Sequence, residues 1–136
     1  MDKKLTVEIY SFSYKKSGIP MGNSVNGGGF VFDCRALPNP GRYDEYRTLT
    51  GLDQPVIDFL KNESAVDFYL ENVMKIVDQA VENYLQRNFS NLMVSFGCTG
   101  GQHRSVFSAE YLKSHLESSY PVHIILRHNM ANLWIK

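Results

Sequence analysis

The chain has 136 residues, of which 43% are hydrophobic, and its fourteen basic side chains cancel fourteen acidic ones. That length carries one compact domain with its own core and gives no sign of a second. A neutral balance lacks the general electrostatic pull of a nonspecific nucleic-acid binder, although it leaves room for a local basic patch. No apolar run approaches membrane-spanning length, and the opening Met1 to Tyr10 reads as a strand rather than a signal peptide, so a cytoplasmic protein with no membrane contact is expected. Two cysteines, Cys34 and Cys98, are expected to be free thiols for the same reason. His103, His115, His123 and His128 show neither paired spacing nor Cys/His clustering, so neither a metal nor a cofactor is expected.

In chain order, Leu5, Val7 and Ile9 alternate with polar partners and predict a first strand over 4–12. The stretch from Ser11 through Gly29 is polar and Gly-rich and reads as a long loop, a kind of segment that is often functional or mobile. Phe30 to Cys34 predicts a second strand. After it, the prolines and glycine of residues 35–42 argue against regular structure and leave Arg35, Asn39 and Arg42 available to a ligand, with a plain turn role equally open. Asp53 or Thr50 is the candidate cap of a short helix running to about Leu60, with Pro55 tolerated in its first turn. Ser64 is the candidate cap of a longer one. Val66, Leu70, Val73, Val77, Ala80, Val81 and Tyr84 recur at steps of three or four, giving an amphipathic helix over 65–87. A strand at 92–97, a helix at 102–117 and a last strand at 122–126 complete an alternating pattern. The expected fold is a single α/β domain with a mainly parallel sheet covered by helices on both faces, and ligands of such sheets bind at the carboxyl ends of the strands.

Residues 97 to 106, Gly-Cys-Thr-Gly-Gly-Gln-His-Arg-Ser-Val, join the third strand to the third long helix and carry the chemistry of an oxyanion cradle. First-turn N–H groups have no intrahelical partner and the helix dipole is positive there. Gly100 and Gly101 let backbone donors wrap a ligand through conformations other residues avoid. Arg104 offers a planar fork to two phosphate oxygens, with the Thr99 and Ser105 hydroxyls in reserve. A plainer account makes the glycines chain geometry, Arg104 a surface charge and Cys98 core packing; the gathering of Cys, Thr, two Gly, His, Arg and Ser within eight positions favours the anion.

An enzymatic reading competes for the same residues. Five residues separate Cys98 from Arg104 and Ser105 follows, as in the signature of cysteine-dependent phosphatases, where a thiolate attacks phosphorus while the arginine holds the equatorial oxygens. Against it, Gly97 stands where that signature has a histidine, and the best candidate for a general acid is Asp44 in an unconvincing loop.

Three groups of residues agree on a family: Phe32-Asp33-Cys34-Arg35-Ala36-Leu37-Pro38-Asn39-Pro40, Leu49-Thr50-Gly51-Leu52-Asp53, and the decapeptide. In that order and spacing they resemble the C-terminal domain of the RapZ/YvcJ family of RNase adapter proteins, and Ser11-Phe12 through Gly18-Ile19-Pro20 resembles the segment preceding them. The resemblance covers nearly the whole chain. It implies a domain related to part of phosphofructokinase, acting as a non-catalytic sensor or adapter that binds glucosamine-6-phosphate, contributes to small-RNA binding and forms homo-oligomers. Carried over by motif, the phosphate contacts are Cys98, Thr99, Gly100, Gly101, Gln102, His103, Arg104 and Ser105, with Arg35 and Asn39 on the facing wall. This chain departs from the family in carrying no Walker-type loop, in Ser13 for a glycine, in one residue inserted near Lys16, in the Asn23 to Gly29 stretch, and in Gly41 where relatives can have His. Asn129 to Lys136 also lacks the family's basic tail, so weak or absent retention of structured RNA is expected.

Overall fold

The computed structural model describes residues 5–22 and 28–136. Lys4 and residues 23–27, part of the expected first strand and loop, lie outside that range. Four strands form, β1 (Leu5–Ser13), β2 (Phe30–Asp33), β3 (Asn91–Cys98) and β4 (Val122–His128), together with three helices, α1 (Gln54–Lys61), α2 (Ser64–Gln86) and α3 (Arg104–Ser119). All pairings are parallel and the order across the sheet is β2-β3-β1-β4. This is the single α/β domain that the alternating pattern predicts, with a parallel sheet flanked by helices.

β3 is buried at every position, and both β1 and β2 pair with it. Its composition allows this: Leu92, Met93, Val94 and Phe96 form a near-continuous apolar run of the kind that central parallel strands require. Leu5, Val7 and Ile9 of β1 and Leu92, Val94 and Phe96 of β3 share one core with Val66, Leu70, Val73, Val77 and Val81 of α2 and Ala109, Leu112 and Leu116 of α3. Side chains two apart on a strand share a face, so all these helices cover one side of the sheet. The handedness of parallel crossovers gives the reason. The steps from β2 to β3 and from β3 to β4 run in the same direction across the sheet, which places both helical connections on the same side. Helices on both faces, as expected from the alternation alone, is therefore corrected. The opposite face carries Thr6, Glu8, Tyr10, Phe12, Met93 and Ser95, and Gly22 and Gly29 lie there against Met93.

Local capping also differs from expectation. Asp53 and Glu63 occupy the cap positions of α1 and α2, and neither side chain bonds to its helix; Ser64 is already helical. The Asp53 carboxylate instead accepts from the Thr50 amide at 2.7 Å, and the Thr50 hydroxyl accepts from the Leu52 amide at 3.0 Å. Thr50 to Asp53 thus forms a self-closed turn. Between β2 and α1, Pro40–Arg42 and Asp44–Tyr46 form short 3-10 turns where irregular chain was expected. Pro40 suits a first helical position because it lacks an amide to leave unpaired, and the Asn39 side chain accepts from Gly41 N at 2.9 Å.

Leu112 is fully buried between sheet and helices, whereas Phe68 on the outer side of α2 is 72% exposed. Leu112→Ala is expected to lower unfolding free energy by about 2–5 kcal/mol, and Phe68→Ala by about 0.5 kcal/mol or less. Urea denaturation of the two variants beside the parent checks both figures.

Candidate functional site

The carboxyl end of β3 is pinned from both sides. The Tyr14 amide donates to Cys98 O at 3.0 Å and the Cys34 amide to Gly97 O at 2.7 Å, extending both ladders by one step. Gly97 lies beneath the rings of Phe12 and Tyr14, which occupy the space a Cβ would need. A histidine before the cysteine, as the phosphatase signature has, does not fit this position.

The chain then turns into α3. Gly101 adopts φ +68°, its carbonyl accepts from the Trp134 indole N–H at 2.8 Å, and a Cβ there would press on Met130. Gln102 is a clasp: its Nε2 donates to the carbonyls of Arg47 (3.2 Å), Leu49 (2.9 Å) and Ile135 (3.0 Å), while its Oε1 accepts from the Ile135 amide at 3.0 Å. Gly51 donates its amide to Gln102 O at 2.9 Å and lies so close to His103 O and Phe107 N that no side chain could stand there. The turn at 50–53 and the decapeptide, distant in sequence, are in this way one structural unit.

His103 holds the cap position of α3, and its Nε2–H donates to Tyr46 O at 2.9 Å. Burial keeps its pKa below the ordinary histidine range, outweighing the carbonyls of Tyr46 and Leu49 that act the other way. Arg104 is 5% exposed. Its Nη1 donates to Arg35 O (2.7 Å) and Leu37 O (3.0 Å), and its Nε is buried with no hydrogen-bond partner. No carboxylate pairs with it among the described residues. The guanidinium is therefore anchored by neutral carbonyls at the mouth of the helix, and Asp33, an acid that feels its charge, spends its carboxylate on Arg35. Among the described residues, no backbone amide from Thr99 to Ser105 donates a hydrogen bond outside the regular elements, and the first amides of a helix have no partner within it.

Against this turn lies a cavity of about 260 Å³. Cys98, Thr99, Gly100, Gln102, His103 and Arg104 line it from the decapeptide, and Asn39, Gly41, Arg47 and Ile135 line it from the other side. Arg35, Gly101 and Ser105 are not in the lining. Arg35 turns outward, its Nε and Nη2 bonded to the Asp33 carboxylate at 2.7 to 3.1 Å and its guanidinium stacked 3.8 Å from the centre of the Tyr14 ring. Only its carbonyl reaches Arg104. The Ser105 hydroxyl is fully buried and accepts from the Cys98 thiol at 3.1 Å. Arg42 and Asp44 are exposed, and Asp44 pairs with Arg47 at 2.6 Å without entering the lining. Sequence reasoning missed Gly41, Arg47 and Ile135 as wall residues. Gly41 was noted only as a departure from the family, and nothing in the local pattern marks Arg47; the Gln102 clasp, a tertiary contact, brings residues 47 and 135 to the turn. A second cavity of about 590 Å³ opens on the other side of Gly51, between α1 and α3, with Leu52, Ile57, Phe107, Tyr111, Glu110 and His115 in its wall.

Among the described residues, no group of His, Cys, Asp and Glu is arranged to hold a metal ion, and no helix is long and apolar enough to cross a membrane. Trp134 and Ile135 close the edge of the turn, the indole N–H donating to Gly101 O and the Ile135 amide to Gln102 Oε1.

Fold and site together define a small α/β domain with a cavity at the carboxyl end of its central strand, floored by a glycine-containing strand-to-helix turn. The chain belongs to the RapZ C-terminal domain family, whose model matches residues 5–130. It is 43% identical over 130 residues to a nucleotide-binding protein of Paraburkholderia phytofirmans, an alignment covering 96% of this chain and 41% of that protein. A nucleotide-binding protein of Glaesserella parasuis is 42% identical over 117 residues, covering 86% and 39% of the two chains. One from Lactobacillus helveticus is 35% identical over 122 residues, covering 90% and 40%. The chain spans about two fifths of the length of these relatives.

Because the folded state holds the His103 pKa below its unfolded value of about 6.5, its neutral form stabilises the fold fully above that pH. The contribution is lost as pH falls through the folded pKa. The stability difference between parent and His103→Gln is therefore expected to shrink on acidification below about pH 6.5, as read from urea midpoints at stepped pH.

Proposed function

We propose that this domain is a non-catalytic sensor or adapter that grips the phosphate of a small phosphorylated metabolite, an amino-sugar phosphate of the glucosamine-6-phosphate kind, at the Thr99 to Ser105 turn. The observation that carries the reading is the coincidence, in one cavity, of uncommitted backbone amides at a helix N-terminus with a buried arginine that forms no ion pair among the described residues. A phosphate seated there meets several N–H donors, the positive end of the helix dipole and a guanidinium already held in place by two carbonyls. Rigid anchoring of Arg104 removes most of the entropy cost of ordering a long side chain on binding. The volume suits a phosphorylated monosaccharide better than a larger ligand. The relatives' shared description as nucleotide-binding proteins is consistent with a phosphorylated ligand, and the amino-sugar comes from the family resemblance alone. Among the described residues no Asp or Glu lines the cavity, so the phosphate, not the ammonium group, supplies most of the affinity.

The same absence of a carboxylate weighs against the cysteine-phosphatase reading. Cys98 does reach the wall, but His103, the lining side chain best suited to protonate a leaving alkoxide, is held toward its neutral form by burial and spends its Nε2–H on Tyr46 O. No turnover of an aryl phosphate is expected, with either Cys98 or Cys98→Ser. Structured RNA is proposed as a weak partner at most, and self-association is carried over from the family, with Phe68 and Ile76 of α2 as exposed apolar surface for it.

Calorimetric titration tests the reading. Glucosamine-6-phosphate is expected to bind and glucosamine to give no heat. Arg104→Lys retains charge and loses the fork, and is expected to weaken binding by about ten- to a hundredfold. Gly100→Ala, whose added methyl meets no protein atom, is the companion variant that retains the fold. No heat from the phosphorylated sugar at millimolar concentration would overturn the proposal.

A further inference from the structure

Cys34 and Cys98 lie side by side at the end of the β2–β3 ladder. Asp33 pairs with Gly97 in register, and the Cys34 amide bonds to Gly97 O, so the next pair along the two parallel strands is Cys34 with Cys98. Neighbouring strands run about 4.8 Å apart, within the roughly 4.4–6.8 Å between Cα atoms that a disulfide spans. The side chains share a face as well, since both belong to the helix-side core. They converge on one patch of α3: the Cys98 thiol donates to Ser105 Oγ at 3.1 Å and the Cys34 thiol to Ser108 Oγ at 3.6 Å, hydroxyls one helical turn apart. Both thiols are free in this structure.

The two are not equivalent. Cys98 lines the cavity, whereas Cys34 is fully buried behind it and lies in the wall of neither cavity described above. Burial raises the pKa of the Cys34 thiol and shuts the group off from solutes, so Cys98 is the one of the pair that a solute in the cavity can approach.

We propose that Cys34 and Cys98 form a redox-active dithiol, in which Cys98 is the thiol that meets a peroxide entering through the cavity and Cys34 is the thiol that resolves it. The Cys98 sulfur attacks one oxygen of hydrogen peroxide. The O–O bond breaks, leaving a sulfenic acid on Cys98, and the departing hydroxide takes the thiol proton to become water. The Cys34 sulfur then attacks the Cys98 sulfur, the S–O bond breaks, and the Cys34 proton leaves with that hydroxide as a second water. Two thiols are oxidised by two electrons and one peroxide is reduced to two waters. Approach of the sulfurs is absorbed at residues 34–37, where β2 has ended and the chain turns. Those residues supply the carbonyls that anchor Arg104, so the cross-link forms inside the support of the cavity wall.

The test treats the native protein with stoichiometric hydrogen peroxide, followed by intact mass measurement, thiol titration after denaturation, and non-reducing peptide mapping. The parent is expected to lose two hydrogen masses and both titratable thiols, to yield a Cys34–Cys98 linked peptide, and to regain both thiols with dithiothreitol. Cys34→Val, which preserves an apolar core side chain, is expected to gain oxygen on Cys98 without a cross-link within the chain. A parent that keeps both thiols, gains oxygen as the variant does, or links between molecules would overturn the proposal. None of these readouts depends on sugar-phosphate binding, so this proposal and the preceding one fail separately.

Discussion

The architecture of the site depends on the complete burial of β3 between two parallel partners. A strand paired on both sides and covered on both faces has no freedom at its carboxyl end, and here the β1 and β2 ladders each continue one step past the regular sheet. The direction in which the chain leaves Cys98 is thereby fixed. Because the helix that follows starts only five residues beyond Thr99, its unpaired amides open where the strand stops. A mobile strand end would leave the same residues as an ordinary loop.

Around that fixed point, two side chains of the decapeptide act as fasteners more than as free ligand groups. Arg104 spends one nitrogen on the carbonyls of residues 35 and 37, and Gln102 spends its whole amide on residues 47, 49 and 135. These bonds hold three separate segments against the turn and make the cavity wall. They also explain the glycines on opposing pieces of chain: Gly51 and Gly97 sit where the backbone of α3 or aromatic rings leave no space for a Cβ. The way the arginine is anchored has an electrostatic consequence. Anchoring by neutral carbonyls leaves it without a direct ion pair, whereas anchoring by a carboxylate would have cancelled most of its field.

A second consequence concerns the cysteines. The register that aligns β2 with β3 for the sake of the sheet also sets one thiol beside the other, one on a residue of the cavity wall and one sealed in the core. Neither cysteine is unusual alone. Their pairing follows from strand order, in which β2 lies next to β3 although some sixty residues of chain separate them.

Much of this molecule was legible in the residues themselves. The period-two run of Leu5, Val7 and Ile9, the helical stripe from Val66 to Val81 and the apolar run at 92–96 set the elements to within a few positions, because local periodicity reports directly which side of an element meets the core. The decapeptide marked the strand-to-helix turn that lines the cavity, because first-turn amides and glycines act through the local backbone. What the sequence could not determine was anything requiring the path of the chain through space. The one-sided placement of the helices followed from the order of the strands, the outward turn of Arg35 from the neighbouring Asp33 carboxylate and Tyr14 ring, and the inclusion of Arg47 and Ile135 from the reach of one glutamine. Such contacts join residues tens of positions apart, and no local periodicity encodes which distant carbonyl a buried donor will find.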